Sequence, residues 1–184
     1  MKVLVAYASR HGATKGIAER IAMTLERNGL DVTLRQAEDA ERIEDFDAFV
    51  IGSAAYAFHW LKPASELVRK HRSLLSTRPL WLFSSGPVGE TSVGGEGKDP
   101  LEDARPKEFT DFAPLHPRGV QVFYGAYDPD APAVGFAEGM FERFATMIPS
   151  IKEALPTGDF RDWPAIEAWA ETIAAELQPV TVRG

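Results

Sequence analysis

Segment Ser9–Thr14 has the residue types and the position expected of an anion-binding loop. It reads Ser-Arg-His-Gly-Ala-Thr and follows directly on the apolar run Val3–Ala8. A permissive glycine, two hydroxyl groups and the first turn of a helix offer hydrogen-bond donors to an anion, and the helix dipole favours negative charge there. We therefore predict that this segment holds one terminal phosphate. An ordinary helix cap would use the same residue types and is the alternative.

Other kinds of phosphate loop do not fit these residues. A nucleoside-triphosphate loop needs Gly-Lys-Ser/Thr after four intervening residues, and a dinucleotide loop needs Gly-x-Gly-x-x-Gly. The chain has neither pattern at this place, where only Gly12 and Gly16 stand. A receiver domain would need an aspartate at the end of the third predicted strand, where the chain has Ile51-Gly52-Ser53. These three classes of protein are therefore excluded.

A second candidate region, residues 52–60, concentrates aromatic side chains after another apolar run. Its first four residues are small, and four of its last five carry an aromatic or imidazole ring. Aromatic faces bury much area against a flat ring at low entropic cost, and small residues let the backbone approach. We predict that Tyr56 contacts such a ring. Phe58 and Trp60 could instead anchor the following helix to the core, an interpretation that we favour for Trp60.

The third candidate region, Ser84–Gly89, follows the apolar run Leu80–Phe83. Gly86 has no Cβ, so its peptide can turn and offer backbone groups to the edge of a bound ring. A plain Gly-Pro turn explains the same residues in isolation. All three regions follow a predicted strand, and in a parallel sheet ligands bind outside the carboxyl ends of the strands.

The order of strands and helices along the chain predicts how these three regions come together. Short apolar runs predict strands at residues 3–8, 32–34, 48–52, 80–83 and 120–124. Apolar residues at helical spacing predict helices around residues 17–25, 63–75, 136–148 and 166–177. In the Gly- and Pro-rich connection between the fourth and fifth strands, only residues 105–115 could hold a helix. Asn28-Gly29 is the predicted stop of the first helix, and Asp162 is the predicted cap of the last. The predicted fold class is α/β, a doubly wound five-stranded parallel sheet with helices on both faces and an extra C-terminal helix.

Composition and charge narrow the classes of function. The chain has 184 residues, which we interpret as one domain over residues 1–184, and its 20 basic and 27 acidic residues give a net charge of −7. An acidic chain is a poor partner for nucleic acid, because the phosphate backbone requires a concentrated basic face. The chain has no cysteine, which excludes disulfides, thiolate nucleophiles and iron–sulfur ligation. We predict no metal site, and any redox role requires a bound cofactor.

The sequence also predicts a protein without an integral membrane segment. The longest apolar stretch, residues 48–61, contains Gly52, Ser53 and His59. It falls short of the run of about 18 apolar residues that crosses a bilayer. The apolar start of the chain is too short for a signal peptide. We therefore expect a cytoplasmic location.

These regions together resemble the flavodoxin-like family, whose first loop has the pattern Ser/Thr-x-Ser/Thr-Gly-x-Thr and wraps the phosphate of FMN. Ser9, Gly12 and Thr14 match that pattern, and His11 stands where the family usually places a hydroxyl. The resemblance implies FMN as the cofactor and a strand order of 2-1-3-4-5.

The resemblance also implies which residues would contact the cofactor. The phosphate would contact Ser9, His11, Gly12, Ala13 and Thr14. One side of the ring would be lined by Ala54, Ala55, Tyr56 and His59. The other side would be lined by Ser85, Gly86, Pro87 and Val88, with Asp128 close by. No side chain is nominated as a catalytic acid or base.

The resemblance is sharpest to the menaquinone-dependent protoporphyrinogen oxidase branch and related flavodoxin-domain proteins. It rests on Gly52–Tyr56, Phe83–Pro87, Gly125–Asp128 and the tail Gly158–Trp163. It implies an FMN-dependent oxidoreductase acting on a quinone or a small organic substrate, and it is compatible with a homodimer. One alternative is a one-electron carrier that docks on redox partner proteins. The other is a cofactor-free interaction module.

Overall fold

The computed structural model describes residues 1–87, 99–127 and 157–178. Its strands are β1 (Lys2–Ala8), β2 (Asp31–Gln36), β3 (Ala48–Tyr56), β4 (His59–Trp60), β5 (Leu80–Ser85), β6 (Gly119–Phe123), β7 (Ala126–Tyr127) and β8 (Gly158–Asp159). Its α-helices are α1 (Ala13–Arg27), α2 (Lys62–Lys70), α3 (Arg72–Leu75), α4 (Pro100–Asp103), α5 (Lys107–Asp111) and α6 (Trp163–Leu177). Short 3-10 turns occupy Ala37–Asp39, Ile43–Asp45 and Ala113–Leu115. The predicted site residues Val88 and Asp128, and the helix predicted around residues 136–148, lie outside the described residues.

A mostly parallel sheet organises the fold. Its parallel strands follow the order β2-β1-β3-β5-β6, which is the predicted 2-1-3-4-5 order when the short β4 is left out of the count. β4 adds an antiparallel pairing to β3 and brings this sheet, within the described residues, to six strands. The five predicted parallel strands are therefore confirmed. The antiparallel β4 was not predicted, because a two-residue strand leaves no apolar run in the sequence.

Helices cover both faces of this sheet, as predicted. Val3, Val5 and Tyr7 pack into a core with α1 and α6. The alternate residues of the same strand, at positions 4, 6 and 8, pack into a second core with α2, α3 and α5. Successive side chains of a strand point to opposite faces of the sheet, so a strand covered on both faces is apolar throughout.

The helix ends agree with the sequence in part. α1 stops before Asn28-Gly29, and Gly29 has a left-handed φ of 83°. α6 begins after Asp162, whose carboxylate accepts the N–H of Ala165 at 3.0 Å. The helix predicted over residues 63–75 instead breaks at His71 into α2 and α3.

The connection between β5 and β6 contains one helix more than predicted. α5 lies within the predicted stretch 105–115, but α4 was not expected. Asp99 caps α4 by accepting the N–H of Leu101 at 2.9 Å. A helix of four residues is too short to show apolar periodicity, so no pattern in the sequence predicted it.

Candidate functional site

The carboxyl ends of the parallel strands bring the three candidate regions to one edge of the sheet. Ala8 at the end of β1 pairs with Ser53 of β3. Ser53 in turn pairs with Ser84 of β5, and Ser85 pairs with Phe123 of β6. The loop after β1, the hairpin after β3 and the turn after β5 therefore leave the sheet side by side.

Gly12 shapes the first loop and sets the start of α1. Its φ of 81° is left-handed, and a Cβ placed on it would meet no atom within 4 Å. Glycine is thus required here by backbone angle and not by space. Gly12 donates its N–H to Ser9 Oγ at 3.1 Å. As the N-cap it supplies no side chain to the first turn of α1, whose N–H groups are left to an outside acceptor.

Thr14 joins the first loop to the turn after β5. Its hydroxyl lies 2.7 Å from Ser85 Oγ, and both residues are buried. The two predicted site residues are 71 positions apart in the sequence. One hydroxyl donates within the pair, so one O–H, that of the accepting hydroxyl, stays available for an outside acceptor such as a phosphate oxygen.

Arg10 joins the first loop to the hairpin after β3. Its guanidinium carbon lies 4.9 Å from the centre of the Tyr56 ring, a cation–π contact. The Arg10 Nε is buried and has no hydrogen-bond partner among the residues that the structure describes. Tyr56 itself is 37% exposed. The predicted ring-contacting residue therefore lies at the loop edge, partly covered by an arginine.

His11 is a weak candidate for a cation at this site. Burial lowers the pKa of its imidazole below its usual value, and the positive charge of Arg10 lowers it further. The ring is consequently neutral at neutral pH, when it carries one N–H donor. His11 can replace the family's hydroxyl by hydrogen bonding more readily than by charge.

The hairpin after β3 carries backbone strain at its tip. Tyr56 and His59 are paired across it, so their side chains lie on the same face. The two residues between them, Ala57 and Phe58, have φ values of 49° and 63°. A two-residue turn of this kind usually holds Asn-Gly, because the left-handed region penalises a Cβ. Phe58 is nevertheless present, and it is 47% exposed.

The base of the hairpin belongs to the core. Trp60 is 5% exposed and packs edge to face against Phe109 and Phe112, with ring centres 5.9 Å and 6.0 Å away. Trp60 also shares one core cluster with Ala64, Leu67 and Val68 of α2, the following helix, so the interpretation that it anchors this helix to the core is confirmed. The same interpretation is wrong for Phe58, which projects from the tip into solvent.

Glu108 holds the hairpin and was missed by sequence reasoning. The residue is 3% exposed, and its Oε2 accepts the N–H of Trp60 at 3.0 Å. Its Oε1 lies 3.5 Å from Nδ1 of His59. The neighbouring Lys107 donates its N–H to the carbonyl of Phe58 at 2.9 Å. α5 therefore clamps the hairpin from base to tip.

Glycines in the other two regions serve packing more than ligand approach. A Cβ on Gly52 would overlap the Phe83 ring, so its small size makes room for the core. A Cβ on Gly86 would lie 2.8 Å from Val122 Cγ1. The N–H of Gly86 donates to Phe123 O at 2.8 Å, which corrects the expectation that this N–H is available to a ring edge. The carbonyl of Pro87 likewise accepts the N–H of Gly125.

The predicted residues Ala54 and Ala55 form the floor between these loops. Ala54 is buried and Ala55 is half-buried. The carbonyl of Ala54 accepts the N–H of Leu61 at 3.3 Å. Ala54 pairs with Ser85 of β5, so two small residues stand where the hairpin and the turn after β5 leave the sheet.

The tail after β8 contacts the first loop through Arg161. Arg161 donates to the carbonyl of Ala13 at 3.3 Å and to both carboxylate oxygens of Asp159 at 2.7 Å and 2.6 Å. Its guanidinium carbon also lies 4.4 Å from the centre of the Trp163 ring. A Cβ on Gly16 would overlap this guanidinium. The sequence marked the tail as part of the resemblance but gave it no role.

No cluster of three or more His, Asp or Glu side chains in the described residues could hold a metal ion. No helix there combines the length and the apolar character needed to pass through a bilayer.

A comparison with protein families decides the assignment of the fold. The model of a flavodoxin domain matches residues 4–137 of the chain. The chain belongs to the flavodoxin-domain family. A flavodoxin domain implies a flavin cofactor and a redox role.

Several relatives of this flavodoxin domain are known. The protoporphyrinogen IX dehydrogenase (quinone) of Escherichia coli strain K12 is 26% identical over 128 residues, or 68% of this chain and 69% of that protein. A flavodoxin from the domain Archaea matches 96% of this chain and 98% of its own, with a TM-score of 0.54 and 18% identity. Rubredoxin oxygen:oxidoreductase from Desulfovibrio gigas matches 96% of this chain and 36% of its own, with a TM-score of 0.58 and 15% identity. At sequence identities of 18% and 15%, the similarity to these two solved structures shows the fold alone.

The residues at the edge of the sheet suit the flavin that this flavodoxin domain implies. The first turn of α1, which receives no side-chain cap from Gly12, offers donors to a phosphate. So does the buried Nε of Arg10, which has no hydrogen-bond partner within the part of the chain that the structure describes. The half-exposed face of Tyr56 offers a surface on which a flat ring can stack.

Proposed function

We propose that the chain is an FMN-binding, flavodoxin-like oxidoreductase. The observation that carries this proposal is the joining of three predicted loops at one edge of the sheet. The Thr14–Ser85 hydroxyl pair links the first loop to the turn after β5, and the Arg10–Tyr56 contact links it to the hairpin. An ordinary helix cap explains neither link.

Each loop has its own task in this proposal. Ser9, His11, Gly12, Ala13 and Thr14 bind the phosphate through backbone and side-chain donors. Ala54, Ala55, Tyr56 and His59 line one side of the ring, while Ser85, Gly86 and Pro87 of the turn after β5 line the other. Val88 and Asp128 remain predicted contacts. The flavin, when bound, supplies the electron exchange, and the protein orients it and sets its electrostatic surroundings.

Titration of cofactor-free protein with FMN tests the proposal. We expect quenching of FMN fluorescence that saturates at one FMN per chain. Gly12→Ala should weaken FMN binding, because a Cβ in the left-handed region costs about 1 kcal/mol or more and moves the loop.

Gly29→Ala is the matched control for that variant. Gly29 has a nearly identical φ of 83° and equally open space, but it lies at the other end of α1. It should lower stability as much as Gly12→Ala and leave FMN affinity unchanged. A wild-type chain that neither quenches FMN nor acquires colour would overturn the proposal and favour the cofactor-free interaction module.

As the finer proposal, we infer a quinone as electron acceptor, as the name of the Escherichia coli relative suggests for that protein. The exposed rings of Tyr56 and Phe58 at the proposed flavin edge support an apolar, flat reaction partner. Two of the three basic residues of α2 already have partners, since Lys62 lies 3.4 Å from Glu66 and Arg69 lies over the Phe112 ring. When the reduced holoprotein is mixed with a soluble quinone under anaerobic conditions, the quinone should reoxidise it and the absorbance spectrum of the oxidised protein should return. Persistence of the reduced spectrum would remove this candidate.

A one-electron carrier is the alternative to such an enzyme. Potentiometric titration of the holoprotein, followed by absorbance, separates the two. A single two-electron step supports the enzyme, and two well-separated one-electron steps support the carrier.

A further inference from the structure

Arg10 lies between the two halves of the proposed FMN site. Its backbone belongs to the first loop, which would bind the phosphate of FMN. Its guanidinium carbon lies 4.9 Å from the centre of the Tyr56 ring, which would contact the flavin ring. Its Nε is buried without a hydrogen-bond partner among the described residues. A buried N–H without an acceptor is costly, so this side chain gains from any anion that comes within reach.

Arg10 is also the one full positive charge within the first loop. Segment Ser9–Thr14 contains no other lysine or arginine. His11 is neutral at neutral pH, because burial and the charge of Arg10 lower its pKa. The nearby Lys15 points its ammonium toward Glu19, at 3.7 Å. A dianionic phosphate at this loop therefore has one strong electrostatic partner on the loop itself.

We propose that Arg10 makes the site selective for phosphorylated flavin by covering Tyr56 in the free protein and pairing with the phosphate in the complex. This inference rests on the proposed function. A flavin without a phosphate must displace the guanidinium from Tyr56 and gives it no new partner. FMN displaces it and pairs with it. The same side chain thus penalises one ligand and rewards the other, which is how specificity arises from a difference of two affinities.

The experiment measures the affinities of FMN and riboflavin for wild-type protein, Arg10→Gln and Arg10→Lys, by fluorescence quenching at several salt concentrations. Arg10→Gln should weaken FMN by roughly 10- to 100-fold, the usual effect of losing a charge-assisted hydrogen bond. The affinity of Arg10→Gln for riboflavin should be equal to or higher than that of the wild type, since no guanidinium then covers Tyr56. Arg10→Gln should also flatten the dependence of FMN affinity on salt. Arg10→Lys, which keeps the charge, should restore most of the lost FMN affinity.

Lys15→Gln is the matched control, because it removes the same charge one residue beyond the loop from a side chain paired with Glu19. Its FMN affinity should stay within about threefold of the wild type, as expected for an exposed ion pair. Far-UV circular dichroism checks that each variant is folded. If Arg10→Gln is not, Arg10→Met, which also removes the charge and keeps a long side chain, takes its place with the same expected results.

The possible results separate this inference from the proposed function. If wild-type protein binds FMN and Arg10→Gln weakens both flavins by the same factor, Arg10 is only a structural residue and the inference is overturned. Equal FMN affinity in Arg10→Gln and wild type overturns it as well. If the wild type binds neither flavin, the proposed function fails and this inference fails with it.

Discussion

The loop after β1 and the hairpin after β3 leave the same edge of the sheet, but their backbones are stabilised in opposite ways. The loop places glycine at its left-handed position, Gly12, and meets no steric cost there. The hairpin places Ala57 and Phe58 in the left-handed region, where a Cβ costs about 1–2 kcal/mol per residue. The loop is relaxed at its tip, whereas the hairpin is strained at its tip and must be held from its base.

This difference shows that the chain tolerates backbone strain in the hairpin and not in the first loop. The hairpin is fixed by Trp60 in the core and by Glu108, which binds the Trp60 N–H and faces His59. Strained backbone persists only where the surroundings determine it, and such positions cluster at functional sites. The strained hairpin exposes the rings of Tyr56 and Phe58 to solvent. We therefore expect the hairpin to respond to loss of its clamp, and the loop to respond to loss of its donors.

The largest expected effect comes from removing the clamp. Glu108→Ala should lower the free energy of unfolding by about 2–3 kcal/mol, because the Trp60 N–H loses a charged acceptor in a buried place. Urea unfolding measures the loss, and hydrogen exchange should show faster opening of the Trp60 amide. Asp111→Ala is the control on the same helix, where an exposed pair with Lys107 contributes little. Equal losses in the two variants would mean that Glu108 does not hold the hairpin.

Removing a donor from the first loop should act on the ligand more than on the fold. Thr14→Ala should weaken FMN binding by about 1–2 kcal/mol through one lost charge-assisted hydrogen bond. Thr24→Ala removes the same hydroxyl from another fully buried position on α1, where it donates to Arg20 O. The control should match Thr14→Ala in urea unfolding and bind FMN like the wild type. Unchanged FMN affinity in Thr14→Ala would place the phosphate elsewhere.

The sequence predicted those features of the fold and site that depend on local pattern. Apolar runs indicated the five main strands, and the position of each candidate loop after a strand brought the loops to one edge. The clamp of Trp60 by Glu108 joins residues 48 positions apart, and the support of Ala13 by Arg161 joins residues 148 positions apart. Neither contact leaves a periodic signal. The packing role of Gly52 was missed for the same reason, since the Phe83 ring that requires its small size lies on the neighbouring strand.

Relief of the strained tip is a smaller effect of opposite sign. Replacing Ala57 and Phe58 together by Asn and Gly gives the residues that a turn with two left-handed positions prefers. We expect unfolding free energy to rise by about 1 kcal/mol, which is the relieved strain less the entropy that glycine adds to the unfolded chain. Phe58→Ala, which removes the ring and keeps the strain, should give no such gain. If both variants change stability equally, the ring and not the backbone angle is responsible.

The smallest effect concerns the support of the first loop by the tail. The hydrogen bond from Arg161 lowers the pKa of the Asp159 carboxyl, so the folded chain holds this proton less tightly than the unfolded chain. Its contribution to stability is therefore present above the unfolded pKa, about 4, and is lost as the pH falls through the lower folded value. Asp159→Asn should cost about 0.5 kcal/mol at neutral pH, because the pair is partly exposed and screened by solvent. Urea unfolding of both proteins should converge on acidification, and a difference that persists unchanged at low pH would show that the carboxylate charge does not support the loop.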